Sequence, residues 1–432
     1  MEIEHRHFDA LVVGTGAGGS TTARELTKRG FKVLILERGG NRPVTGGLMN
    51  TLPNLLMFGQ SALVTPDLML LARAITTGGS TIYYYATAME PPHDMFRALG
   101  IRIESETAET RQELGVGPLP EEWISPMSRR IMETAQGMGM AWNRMDKFIR
   151  ADRLNGHSMD RWNWLGVPVL DAKWNGRMFV YEAVENGAAF LPRARVDRVL
   201  LEGSRAIGVE FFHDGKRRRA YADQVIVSAG GIGSPLILRR TGIKEAGNSF
   251  FYDPLVSVVG TVKDDLYGPE IPMSTGAYFP DDGYVMTNLS YHPLLFAGLT
   301  ALGGKPHRIL DYRRSMQIMV KIRDGLGGRL TDRGGVWKFL SPADRRRLDH
   351  GRKRAEAILR RAGAGNIYST SLVAAHPGGT VKVGHLVDEN LKTRLDGLYV
   401  CDCSVIPESW GLPPVLTLIA LGKRLARHLT GK

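Results

Sequence analysis

Six consecutive residues, Gly14-Thr15-Gly16-Ala17-Gly18-Gly19, have the make-up of a phosphate cradle. In a G-x-G-x-x-G run, Gly14 permits a tight turn, Gly16 lets a pyrophosphate approach the main chain, and Gly19 allows the next helix to pack close to the preceding strand. The N-terminus of that helix favours negative charge. Glu37 closes a second apolar run, KVLILE. Its carboxylate is suited to accept hydrogen bonds from adenosine ribose hydroxyls and would repel a 2′-phosphate, so a dinucleotide without that phosphate is expected. NAD and FAD both use such a unit, and the unit alone leaves the choice between them open.

Three further segments carry chemistry. Thr77-Gly78-Gly79-Ser80-Thr81-Ile82-Tyr83-Tyr84 is a turn of small residues followed by aromatic ones. The apolar run Gln224 to Ala229 leads into Gly230-Gly231-Ile232-Gly233-Ser234-Pro235, where Ser234 is expected to cap a helix whose first residue is Pro235. Near the carboxy end come His376-Pro377-Gly378-Gly379-Thr380, then Cys401-Asp402-Cys403-Ser404, then Pro413-Pro414-Val415.

Taken in order along the whole chain, these motifs resemble the signatures of the glucose–methanol–choline family of FAD-dependent oxidoreductases. The resemblance implies that Gly78, Gly79, Ser80 and Thr81 lie along the flavin and that Gly230 belongs to the family's second signature. It places Val196 at the adenine, Asp402 on the flavin side chain or pyrophosphate, and Pro414 and Val415 beside the cofactor. His376 is then the catalytic base: an imidazole with a pKa of about 6.5 can take a hydroxyl proton near neutral pH while the carbon yields hydride to the flavin. The expected reaction is oxidation of an alcohol to an aldehyde or ketone. Tyr83 stands where some members carry a histidine joined to the flavin, so FAD is expected to be held non-covalently. Pro413 stands where the family has a second histidine or an asparagine. Either His376 acts alone or another residue, His292 or Tyr84, fills the gap. Lyase or decarboxylase chemistry on the same fold, or a flavin subunit of an electron-transfer complex, are the alternatives.

These residues need a scaffold. Strand, glycine loop, helix and strand from Phe8 to Glu37 make a βαβ unit, and the pattern returns after Leu191. The fold class expected is α/β: a Rossmann-like FAD-binding domain from residues 1–80, 190–245 and 375–432, interleaved with an α+β substrate domain from 81–189 and 246–374 built on an antiparallel sheet. Met316 to Ile322 alternates in polarity and predicts a strand with one covered face. Pocket residues are expected among Tyr83 to Ala88, Tyr291 to Phe296 and Trp410 to Leu412, which favour an apolar or aromatic alcohol, or a sterol-like one, over a free sugar.

The 432 residues exceed the usual size of a single hydrophobic core, and the formal net charge is +12. Arginines at 345–347, 352, 354, 360 and 361 lie along an amphipathic helical pattern, read as a solvated face or as a docking face for a membrane surface or an electron-accepting protein. No reading motif or stacking platform accompanies them, so nucleic acid is not expected as a partner. Only Cys401 and Cys403 occur; a bridge between residues so close would be strained, and reduced thiols in a cytoplasmic protein are expected. No metal site is expected. No run approaches the roughly 18 to 20 apolar residues of a membrane span, and the strand at Phe8 leaves no room for a secretory leader.

Overall fold

A computed structural model describes residues 6–43, 54, 57–154, 172–265, 270–291 and 293–431. Two sheets organise them. The first has seven strands: β1 (His7–Val13), β2 (Val33–Leu36), β3 (Ala189–Leu191), β4 (Arg195–Glu202), β5 (Arg205–His213), β6 (Lys216–Val227) and β7 (Leu398–Val400). Their order is β3-β2-β1-β6-β5-β4, with β7 also paired to β6. β1, β2, β3, β6 and β7 are parallel, and β4 and β5 add an antiparallel edge.

The apolar runs Ala10 to Val13 and Val33 to Leu36 are fully buried, as a helix-covered parallel sheet requires. Helix α1 (Ala17–Lys28) packs on β1 and β2 and is flanked by α2 (Gly176–Glu185) and α4 (Val415–Thr430); α3 (Gly230–Thr241) follows β6 and packs on β4. Close approach of α4 to α1 depends on Gly422, where an added Cβ would stand 3.0 Å from the Gly18 carbonyl oxygen.

The second sheet has nine strands, antiparallel except where Val373–Ala374 pairs with Leu70–Ala72. Its centre is the pair Pro254–Thr261 and Ser315–Ile322. Ser315–Ile322 departs from expectation, because it is buried on both faces. Met316, Ile318, Val320 and Ile322 pack with the buried side of helix Pro342–Arg361, while Met319 and Lys321 face a deep cleft. The alternation in polarity marks a cleft-facing side, not a solvent-facing one.

Two segments also fall differently from the expected division. The hairpin Ala62–Val64 and Leu70–Ala72 pairs into the second sheet although it precedes residue 80. Helix α2 precedes residue 189, yet it packs on α1 and buries Phe179, Val180 and Ala183 in the core of the first. The hairpin is completed by the sheet whose edge it meets in space, whereas α2 runs within four residues into β3 and stays with the first sheet. Among the described residues no helix is long and apolar enough to cross a membrane.

One buried acid sets a pH dependence of stability. Glu270 is held by Ser125 and Ser128 and accepts from the Asn288 side-chain amide at 2.5 Å. Burial pushes its pKa up to about 8, so it is protonated in the folded protein at neutral pH. A raised pKa means that stability is fully present below the ordinary carboxyl value and is lost as pH rises through about 8. Glu270→Gln, which mimics the protonated form, is expected to raise the apparent melting temperature at pH 9 by roughly 5 °C and to leave it nearly unchanged at pH 5. Thermal scans of both proteins at the two pH values check this.

Candidate active site

A cleft of about 610 Å³ is lined by residues of both sheets. Its size suits a large ligand. The glycine loop between β1 and α1 forms one wall, and its glycines divide into two roles. A Cβ on Gly14, whose φ is +101°, would stand 2.3 Å from the Ser228 oxygen; on Gly18 it would stand 2.1 Å from the Cys401 oxygen, and on Gly19 2.3 Å from the Gly14 oxygen. These three glycines permit the chain to pack on itself. A Cβ on Gly16 would meet nothing within 4 Å, so Gly16 is a glycine for the sake of what enters the cleft.

Among the described residues three helices begin on the cleft wall: α1 at Ala17 and α4 at Val415 after Pro414, neither with a side-chain cap, and α3 at Gly230, whose amide is taken by Asp402. Each brings the positive end of a helix dipole to the same cleft, which favours an anionic guest. Beside Glu37 the lining is also basic, with Arg38, Arg73, Arg195 and Arg240. Burial draws Arg73 down to about 10, with Arg38 adding to the effect.

Glu37 lines the cleft and also braces it, accepting from the Thr15 amide at 3.1 Å, the Thr15 hydroxyl at 2.5 Å and the Gly39 amide at 2.6 Å. Burial is the main cause of its raised pKa. Gly79, Ser80, Thr81 and Val196 line the cleft; Gly19 and Gly78 stand behind it. Gly78 adopts φ +91° and its amide donates to the Thr15 hydroxyl, tying the small-residue turn to the glycine loop.

Asp402 sits on the cleft wall with its oxygens engaged by the chain: it accepts from the Gly230 amide at 2.8 Å, the Ser234 hydroxyl at 2.5 Å and the Ser404 amide at 2.8 Å. It therefore fixes the start of α3. That helix begins at Gly230, not at Pro235 as expected, and Ser234 and Pro235 lie inside it. Proline is tolerated there because the Gly231 carbonyl, which a residue at 235 would normally bond, accepts instead from the Thr380 hydroxyl at 2.8 Å. That bond joins α3 to the segment bearing His376. A Cβ on Gly231 would stand 1.9 Å from the Pro377 oxygen, so the two segments touch without room for a side chain.

His376 opens onto the cleft, half-buried. Its Nδ1 lies 3.1 Å from Asp253 Oδ2 and 3.4 Å from Lys321 Nζ. No hydrogen bond is made at Nε2 among the described residues. Burial lowers the His376 pKa, the Lys321 cation lowers it further and Asp253 opposes them, so the ring is neutral at neutral pH. Asp253 accepts from the Ser409 hydroxyl at 2.7 Å. Its left-handed backbone, φ +49°, is held by its own amide donating to Asp324 Oδ1 at 2.9 Å, and Asp324 is paired with Lys338 at 2.5 Å.

Sequence reasoning did not single out Lys321, Asp253 or two further lysines. Lys147 Nζ donates to the Tyr85 carbonyl at 2.5 Å and to the Thr87 hydroxyl at 2.9 Å, and Lys173 Nζ to the Ile82 and Tyr84 carbonyls at 2.8 and 3.2 Å. Both are fully buried and pin the segment that carries Tyr83, Tyr84, Tyr85 and Thr87 along the cleft. The lone lysine in the apolar run Met316 to Ile322 was the one visible signal. Of the other expected pocket segments, Tyr291, Phe296 and Trp410 to Leu412 do not line the cleft, their side chains being spent on packing; Leu255, Met273, Met319 and Pro413 line it instead. Tyr84 donates its hydroxyl to the Trp174 carbonyl at 2.8 Å, and His292 lies outside the described residues.

The fold and cleft define a flavin-dependent oxidoreductase with a Rossmann-like FAD-binding domain. The chain belongs to the GMC oxidoreductase family, whose N-terminal model matches residues 8–294 and whose C-terminal model matches residues 337–422. An uncharacterized protein of Methanocaldococcus jannaschii is 26% identical over 98% of this chain and 100% of its own length. Long-chain-alcohol oxidase FAO4A of Arabidopsis thaliana is 22% identical over 95% of this chain and 66% of its own. Among solved structures, a pyridoxine 4-oxidase from Mesorbium loti superposes with TM-score 0.75 at 19% identity, covering 97% of this chain and 98% of that one. A formate oxidase variant of Aspergillus oryzae gives 0.76 at 16%, covering 99% of each.

FAD is the cofactor of this family, and the cleft fits it: open space over Gly16, the uncapped N-termini of α1 and α4 and a basic rim suit an anionic dinucleotide. Tyr83, which the sequence resemblance sets at the position of the flavin-linked histidine of some members, lines the cleft.

Proposed function

We propose that the protein oxidises an apolar alcohol to an aldehyde or ketone. The observation that carries this reading is the His376 imidazole, neutral at neutral pH, its Nδ1 occupied by Asp253 and its Nε2 open to the cleft. FAD, when bound, supplies the hydride acceptor. The residues of the chain do the rest. His376 Nε2 takes the hydroxyl proton, Asp253 orients the ring and compensates the positive charge that forms on it, and the apolar side chains Leu255, Met273, Met319 and Pro413 keep water from the reacting carbon. Glu37, Gly16, Ala17, Gly18, Gly79, Ser80, Thr81, Val196, Gly230, Asp402, Pro414 and Val415 form the wall along which the dinucleotide would lie.

The alcohol oxidases among the relatives support the reading; the formate oxidase among the structural neighbours shows that this fold also accepts other donors. Anaerobic mixing of the FAD-loaded protein with primary and secondary alcohols of increasing chain length tests it. Bleaching of the flavin band by medium or long alcohols, and weaker bleaching by short polar ones, is the expected result. No bleaching by any alcohol would sink the proposal.

A further inference from the structure

Pro413 offers neither a donor nor an acceptor side chain at the rim of the cleft. Lys321 is the one lysine among the described residues of the cleft lining, and it reaches His376 within one sheet: its strand Ser315–Ile322 and the strand Val373–Ala374, which runs into His376, both pair with Pro254–Thr261. It is almost wholly buried, 3.4 Å from His376 Nδ1 and 3.7 Å from Asp253 Oδ2, and Asp253 is as deeply buried. A buried ion pair is costly to assemble and is weak as a device for stability, so its position beside the imidazole calls for another explanation.

Two groups therefore compete for one ring nitrogen. Were Nδ1 bare, its lone pair would face a carboxylate oxygen at 3.1 Å. With a proton on Nδ1 that contact becomes a hydrogen bond, and Lys321 retains Asp253 as its own counter-ion. The same cation stands against any second proton on the ring.

We propose that Lys321 is a positioning residue for His376: Asp253 accepts from Nδ1–H and so holds the tautomer, while Lys321, paired with Asp253 behind the imidazole, opposes formation of the imidazolium before substrate arrives. This rests on the reading of His376 as the base. Nε2 then meets the substrate hydroxyl as a bare acceptor. After proton transfer the ring carries one more charge, which Asp253 compensates directly and Lys321 resists, favouring release of that proton to solvent once product has left.

The charged groups around this trio are few. Asp253 arrives from the loop before Pro254–Thr261, and Lys321 from Ser315–Ile322. Asp324, paired with Lys338, lies on the far side of Asp253, and Cys403 faces Lys321 from beyond β7. Burial keeps the Cys403 thiol protonated, so it contributes no charge. Burial draws Lys321 down to about 8 while Asp253 opposes that fall, and the lysine remains mostly charged at pH 7.

Removing the cation should therefore let His376 hold its proton to higher pH. In Lys321→Met and in Lys321→Gln, the acid limb of the pH profile for flavin reduction is expected to move up by about one unit, with the rate on the high-pH plateau changed less than tenfold. Lys321→Arg is expected to restore the limb. A second readout does not depend on turnover: in protein labelled with 15N-histidine, the His376 resonance, assigned by its loss in His376→Gln, should titrate at higher pH in Lys321→Gln than in the parent. A rate lowered equally at every pH, with the His376 titration unmoved, would overturn the role of Lys321 while leaving the base assignment intact. Full flavin reduction by His376→Ala would instead overturn the base assignment, and this proposal with it. If Lys321→Met does not fold, the Lys321→Gln and Lys321→Arg pair decides by the same two readouts.

Discussion

His376→Ala is expected to lower the rate of flavin reduction by alcohol about 10²- to 10⁴-fold, the usual contribution of a positioned general base. Flavin binding should survive, because His376 makes no bond to the glycine loop, to Glu37 or to Asp402. The pH dependence gives a sharper mark. Burial and Lys321 lower the pKa of His376, so the neutral ring persists below the ordinary histidine value and the rate should fall only as pH drops through that lowered value. In the alanine variant this limb should vanish together with the rate. Stopped-flow reduction under anaerobic conditions, over pH 5 to 9, measures both. A variant that keeps the parental rate and limb would remove His376 from the chemistry.

The second large effect concerns the glycine loop, where two neighbouring glycines should fail in opposite ways. Gly16→Val places its side chain in open space over the cleft, so the protein is expected to fold and to lose FAD, with affinity weakened by roughly 10²-fold or more. Gly18→Val drives its side chain into the Cys401 carbonyl, with the Cβ alone at 2.1 Å, and is expected to destabilise the fold whether or not FAD is present. Flavin content after purification and melting temperature of the apoprotein separate the two. If Gly16→Val purified with full flavin, the loop would not be the cradle described.

Much of this was legible in residue types. A glycine loop between an apolar run and a helix, closed by Glu37, can do little but turn tightly beside an anionic ligand, since the constraint is local and chemical. The order of the later motifs added the FAD-binding fold and pointed to His376. The boundaries were less legible. Whether Ala62 to Ala72 belongs to one sheet or the other depends on which edge stands open to it, and no short stretch of sequence states that.

The start of α3 shows the same limit on a smaller scale. Ser234 and Pro235 read locally as cap and first turn, but Asp402, 168 positions away, and Thr380, 149 positions from Gly231, supply the bonds that move the helix start back to Gly230. Likewise Met316 to Ile322 alternates as a half-exposed strand would, because a strand beside a polar cleft and a strand beside water present the same pattern.

The sequence by itself determined what depends on neighbours in the chain: the cradle, an acid at the end of the second strand, the small-residue turn, and a histidine in the carboxy-terminal motif. The tertiary structure alone decided what surrounds that histidine. Asp253, Lys321 and His376 come from separate segments, and a base is made by distance and burial: only folding brings a carboxylate and an ammonium within 4 Å of one imidazole nitrogen and removes the water that would otherwise screen them.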